Sequence, residues 1–211
     1  MAGLADLGPR FGFARTQARN LLRRLGVSSV PVPVAEIAQR CNLQVVPCHR
    51  WADAVSGLLL PRQRLLGYNA RHHPHRQRFT IAHELGHDVL AHERRQELYL
   101  RPVQRELLAA LADEGEEDAS SPIGRIVAEA LNAREEIPAF VDSAGPTGGA
   151  GEGKYTSEAD QEANAFAGEL LVPLEWLKVD WTRTRDLATL AARYDVSEHV
   201  ITIRVLDCRL K

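Results

Sequence analysis

Arg78-Phe79-Thr80-Ile81-Ala82-His83-Glu84-Leu85-Gly86-His87 is the stretch whose reading decides the fold. It contains His-Glu-x-x-His, a pattern whose chemistry depends on its being helical. At about 3.6 residues per turn, His83 and His87 sit one turn apart on nearly the same face. Their imidazoles can therefore reach one divalent metal ion, with Zn²⁺ the natural occupant. Glu84 points about 100° round the helix, where its carboxylate can act on a water without ligating the metal tightly. The neighbours support a helix from about Arg76 to Arg94. Phe79, Ala82, Leu85, Val89 and Leu90 recur at helical spacing and form an apolar face. Gly86 costs about 1 kcal/mol relative to alanine inside a helix, so it needs a packing or access reason. The reading predicts that another backbone, or a substrate, comes close at that point.

Composition narrows the class. The chain has 211 residues, 45% hydrophobic and 26% charged, an ordinary globular balance with enough apolar residues for a real core. A formal net charge of -2 gives no bulk electrostatic drive toward nucleic acid or a membrane surface. The first ten residues lack a basic start followed by an apolar run, and no stretch approaches a membrane span. The three cysteines, Cys41, Cys48 and Cys208, are too few and odd in number for a disulfide framework. Together these point to a cytoplasmic protein with reduced thiols.

Outward from the motif, the order is α+β. Ala14, Ala18, Leu21, Leu22 and Leu25 make a helical stripe that stops at Gly26. Val30-Pro31-Val32-Pro33 is an extended connector, and Val34 to Arg40 a second helix with Asn42 as a left-handed exit. Leu43 to Val46 reads as a strand, and Ser56–Leu60 and Arg64–Asn69 as an antiparallel hairpin turning at Pro61-Arg62-Gln63. A strand entering the motif helix can offer an edge to an extended peptide or simply pack under the helix. His72-His73-Pro74-His75 straddles a proline without helical register, which predicts a solvated loop rather than a second metal site. His92, five residues past His87, is expected off the metal face and in solvent. Gln96 to Ala112 has helical character. Residues 113–156, with an acidic run, a short amphipathic piece from Ile123 to Asn132 and a glycine-rich stretch from Ser143, read as a mobile insert. The expected organisation is thus 1–112 with the motif helix, the 113–156 insert, and 157–211 returning to the same domain.

A metal peptidase site needs a third protein ligand. Glu158 to Val172 reads as a helix stopped before Pro173. Asp160 and Asn164 share a face with Ala163 and Ala167, whereas Glu162 lines up with Phe166 and Glu169. Asp160 is the favoured ligand, Glu162 the fallback, and Asn164 an outer partner. An acidic residue in the first helical turn also suits the helix dipole, so Asp160 has a purely structural reading too. At the carboxyl end, Asp186–Arg193 and Glu198–Leu210, joined at Tyr194-Asp195-Val196 with Ser197 as N-cap, form a helical pair. The second helix offers only Arg204 and Arg209 against Glu198 and Asp207, so the pair reads as structural rather than DNA-binding.

Three segments now carry a family likeness: Ala18 through Leu25-Gly26 to Ile37-Ala38, Arg76 to His87, and Glu162-Ala163-Asn164-Ala165-Phe166-Ala167-Gly168-Glu169-Leu170-Leu171-Val172-Pro173. With Leu187-Ala188-x-x-Ala191-x-x-Tyr194-x-Val196-Ser197, they resemble the ImmA/IrrE metallo-endopeptidases of the zincin type. The resemblance implies a mostly helical α+β domain with a small antiparallel sheet and an active-site helix carrying His83, Glu84 and His87. It implies a third ligand at Asp160, where the family has glutamate, and Glu84 as general base. It also implies cleavage of a helix-turn-helix repressor, releasing genes for mobile-element transfer or stress response. The shorter Asp160 side chain supports a second reading, a peptidase-like module that binds a regulator or toxin partner with little or no cleavage.

Overall fold

The first two helices are set by local signals. α1 (Phe11–Arg24) buries Ala14, Ala18, Leu21 and Leu22, and ends before Gly26, whose left-handed φ of +67° suits a residue without a Cβ. α2 (Val34–Arg40) follows the proline connector, with Asn42 left-handed at φ 64°. The computed structural model describes residues 8–53, 55–92, 101–102, 122–125, 138–143 and 157–210. Strands β1 (Gln44–Cys48), β2 (Val55–Leu60) and β3 (Leu65–Asn69) lead into α3 (Pro74–Val89). Strands β4 (Arg101–Pro102) and β5 (Pro138–Ser143) come next. Helices α4 (Glu158–Leu171), α5 (Leu174–Arg183), α6 (Leu187–Tyr194) and α7 (Glu198–Asp207) complete the α+β fold.

The β2–β3 hairpin forms as its sequence predicts, antiparallel, with Leu60 opposite Leu65 and Leu58 opposite Gly67. The sheet as a whole is mixed rather than antiparallel throughout, because β1 runs parallel to β3. Its order is β1-β3-β2-β5-β4. β3, the strand that enters α3, is thus paired on both sides. Its backbone groups are spent inside the sheet, and the open edge envisaged for a peptide is not there.

Part of the stretch read as an insert is built into this sheet. Residues 138–143 are β5, paired with β2, and residues 122–125 make a helical turn. Ile123 from that turn is buried against the sheet face opposite α3. A Cβ on Gly67 would meet its Cδ1 at 2.5 Å and Trp51 Cη2 at 2.7 Å. Within Gln96–Ala112, expected as helical, Arg101–Pro102 is strand paired with β5. The rest of that run, the acidic run and the glycine-rich stretch beyond Ser143 lie outside the described residues.

The core lies where α3 is held between the sheet and the pair α1 and α4. Leu59 and Leu66 from the sheet meet Ile81, Ala82 and Leu85 of α3, with Ala18 and Leu21 of α1 and Phe166 and Leu170 of α4 beyond. Each fully buried leucine or phenylalanine contributes roughly 1.5–3 kcal/mol. Gly86 supplies the close approach its sequence position predicts, and the neighbour is a backbone. A Cβ there would come within 3.1 Å of Phe166 Cδ1 and 3.2 Å of the Ala163 Cα. That approach brings the first turns of α4 onto the second half of α3.

The carboxyl-terminal pair is ordered by its caps: Asp186 accepts from Thr189 N, Ser197 accepts from Val200 N, and Asp195 turns at φ 53°. Arg204 does not reach solvent. It is 2% exposed and bonds Glu169 at 2.5 Å, with Arg19 at 3.3 Å from the same carboxylate. A guanidinium so committed is unavailable to a phosphate. Among the described residues, no helix is long and apolar enough to cross a membrane.

Candidate metal centre

His83, Glu84 and His87 all lie on the buried stretch of α3 from Thr80 to His87. The helix begins where its chemistry dictates. Pro74 occupies the first turn, where a missing N–H costs nothing, and His73 Nδ1 accepts from His75 N. His72 bonds the Asp53 carbonyl, and His75 lies 3.3 Å from Asp195. The histidine cluster therefore serves the loop and the helix cap.

His83 Nε2 and His87 Nε2 face each other at 3.0 Å, and Asp160 Oδ1 lies 3.5 Å from His87 Nε2. Among the described residues these three side chains form a group able to hold a metal ion, their ligand atoms all within 4.8 Å of one another. Ligands about 2.05 Å from a tetrahedral ion stand about 3.3 Å apart, so two of the edges already approach that spacing. The donor set fits a borderline-soft divalent cation, with two imidazole nitrogens and a carboxylate oxygen. Burial, together with the neighbouring His83 and His92, pushes the His87 imidazole well below its ordinary pKa. A neutral ring keeps one nitrogen lone pair for a metal ion.

Asp160 is held by its own helix. Ser157 Oγ accepts from Asp160 N at 3.1 Å, and Asp160 Oδ2 accepts from Ser157 N at 2.9 Å, a reciprocal cap. One carboxylate oxygen thus caps α4 while the other faces the imidazoles. The structural and ligand readings of this residue coexist. Asn164, one turn on, places Oδ1 2.9 Å from His83 Nδ1, the outer contact its position predicts. The Asp160 side chain is 38% exposed and Asn164 is also exposed, whereas His83 and His87 are buried. Solvent therefore reaches the group from the α4 side.

Glu162, the fallback ligand, sits elsewhere. Its Oε1 accepts from Arg10 N and Nε at 2.9 and 3.0 Å, and its Oε2 accepts from the Arg10 guanidinium at 2.9 Å. Burial works to raise its carboxyl, but the bonds from Arg10 and His92 outweigh it and hold the pKa below the usual value. A core-facing carboxylate needs a partner. For Glu162 that partner is a guanidinium, whose sequence separation hides it.

His92 overturns its sequence reading, which put it in solvent. It is buried, with Nδ1 2.9 Å from His87 Nδ1 and Nε2 3.2 Å from Glu162 Oε2. Extending α3 as a helix would place it about 140° from His87. The helix instead ends at Val89, and Ala91 takes a left-handed φ of 54° that swings the chain back. Burial lowers its pKa as well. Only the helix end could have hinted at this, and alanine is a poor marker of a left-handed residue.

Glu84 is wholly buried and lies under β2. A Cβ on Gly57 would come 2.8 Å from Glu84 Oε1 and 2.5 Å from Thr80 Cγ2, so only glycine lets the strand cross the helix this closely.

The model of the Peptidase_M78 family, described as an IrrE N-terminal-like domain, matches residues 38–114 and 147–206. A search of curated proteins finds no match. Among solved structures, a Mycobacterium tuberculosis transcriptional regulator matches with a TM-score of 0.55 at 17% identity. The match covers 92% of this chain and 46% of the regulator, so the chain spans just under half of that protein's length. The likeness to it is one of fold. The family match extends over both the His83–His87 helix and the Asp160 helix, and the chain belongs to the Peptidase_M78, IrrE N-terminal-like family.

Proposed function

We propose that the protein is a zinc-dependent endopeptidase whose metal is held by His83, His87 and Asp160, with Glu84 as general base. The observation that carries this reading is the convergence of two imidazole nitrogens and one carboxylate oxygen beside a buried glutamate. A cation bound there supplies Lewis acidity, acidifying water and polarising the scissile carbonyl. The protein's own part is to move protons and exclude solvent. Glu84 takes the proton of the attacking water on a carboxylate oxygen and delivers it to the leaving amine. Its buried seat under Gly57 keeps that carboxylate away from bulk water. Asp160 and Asn164 line the open side, where a peptide enters.

The substrate class favoured is a protein of the helix-turn-helix repressor kind, as the family likeness implies. The related fold in a transcriptional regulator about twice as long fits an association with regulators. Replacing Glu84→Gln keeps size and polarity but removes the base. Cleavage of a candidate repressor should fall by roughly 10²- to 10⁴-fold with zinc content unchanged. Undiminished cleavage would sink the mechanism. The second reading, a binding module, is favoured by Asp160 standing where the family has glutamate. It requires a complex with the intact regulator, unchanged after prolonged incubation of the zinc-loaded protein.

A further inference from the structure

We propose that His92, backed by Glu162 and Arg10, is a positioning residue that presets His87 to ligate through Nε2. The inference rests on the metal reading above and assigns a role to three residues outside the ligand set.

The argument follows the protons. Arg10 cannot lose its charge and directs three N–H groups at Glu162, so Glu162 is an anion that only accepts. Its Oε2 lies 3.2 Å from His92 Nε2, so that nitrogen must carry the proton. A neutral imidazole has one N–H, which leaves His92 Nδ1 as an acceptor. At 2.9 Å from it, His87 Nδ1 must therefore be the donor. The His87 lone pair is then on Nε2, directed at His83 Nε2 and Asp160 Oδ1. The opposite order would set the lone pair of His92 Nε2 against the Glu162 carboxylate, a repulsive contact in a buried site. On the other ligand, Asn164 Oδ1 plays the same part by accepting from His83 Nδ1. The two ligands are thus set by different devices, a short amide for His83 and a three-residue chain for His87.

The geometry is too specific for incidental packing. The three residues come from the N-cap of α1, the segment after α3 and the first half of α4, and the left-handed Ala91 returns His92 to the site. A second-layer partner of this kind typically changes metal affinity by about 10–100-fold when removed.

The test is a titration of the full chain with Co²⁺, read by visible absorption and by competition with a chelator. Three variants would be compared with the wild type: His92→Phe, His92→Gln and Glu162→Gln. Phenylalanine keeps the bulk but cannot accept. Glutamine offers an oxygen to His87 and an N–H to Glu162. The expected result is a loss of roughly 10–100-fold in Co²⁺ affinity for His92→Phe and recovery to within about threefold for His92→Gln. Glu162→Gln, which keeps its volume but no longer forces the proton order, should lose about 10-fold. It decides the matter if His92→Phe does not fold. Wild-type affinity in any folded His92→Phe or Glu162→Gln protein would overturn the inference while leaving the metal site standing. Equal losses in both His92 variants would overturn it too, since shape and not the acceptor would then matter. A wild-type chain that takes up no Co²⁺ would remove both the metal reading and this one.

Discussion

α4 carries carboxylates on two sides, and the two sides have opposite chemistry. Glu162 and Glu169 are buried, and each is neutralised by arginine: Arg10 on the first, Arg204 and Arg19 on the second. Asp160, in the first turn of the helix, is partly exposed and faces imidazole nitrogens rather than a guanidinium. The contrast separates a structural carboxylate from one kept available for a cation. Burial alone would have chosen Glu162. What distinguishes Asp160 is that it stands beside imidazole nitrogens, so that a cation rather than an arginine would complete its surroundings.

That comparison can be broken from either side. The largest effect expected is on the structural face. Arg204→Leu leaves the buried Glu169 carboxylate with Arg19 as its remaining arginine, which should cost about 3 kcal/mol in denaturant unfolding of the metal-free protein. The cation affinity of the folded fraction should stay at the wild-type value, and a matching loss of affinity would blur the distinction between the faces. On the other face, Asp160→Ala should reverse the pattern. Zinc affinity should fall by at least ~100-fold, beyond what an outer partner accounts for, while stability falls by only about 1 kcal/mol from the lost cap. Zinc-dependent stabilisation in a thermal melt reads the affinity, because an ion that binds only the folded state raises the midpoint. The smallest effect is assigned to Ser157→Ala. It removes the hydroxyl cap but keeps the Ser157 N–H that holds Asp160 Oδ2. A stability loss of about 1 kcal/mol with nearly unchanged zinc affinity is expected. A large affinity loss would mean that the whole cap, and not the backbone bond alone, aims the carboxylate.

Much of this was legible before any coordinates. The α1 stripe, the Gly26 and Asn42 exits, the β2–β3 hairpin and the Ser197 cap are all written within a few residues. Their chemistry is local, so the sequence reading and the structure agree on them. Gly86 was legible as a close approach, although not which of two neighbours would make it. The failures share a single cause. The parallel β1–β3 pairing, the strand at 138–143 and the burial of His92 depend on contacts that no short window contains. The Arg10–Glu162 pairing is the extreme case, joining residues 152 positions apart.

The sequence by itself determined that the candidate ligands His83 and His87 share one helix face. His83 and His87 four apart on an apolar-faced helix can only present their rings together, because helical pitch is a property of the backbone. It also narrowed the candidates for a third ligand to two carboxylates of one helix, Asp160 and Glu162. Tertiary structure alone decided which carboxylate stands with the imidazoles and which is spent on arginine. It also decided which nitrogen of His87 faces the site. Those outcomes turn on which charges and lone pairs the packing of α1, α3 and α4 brings within about 3 Å, the range over which a hydrogen bond settles a proton's position.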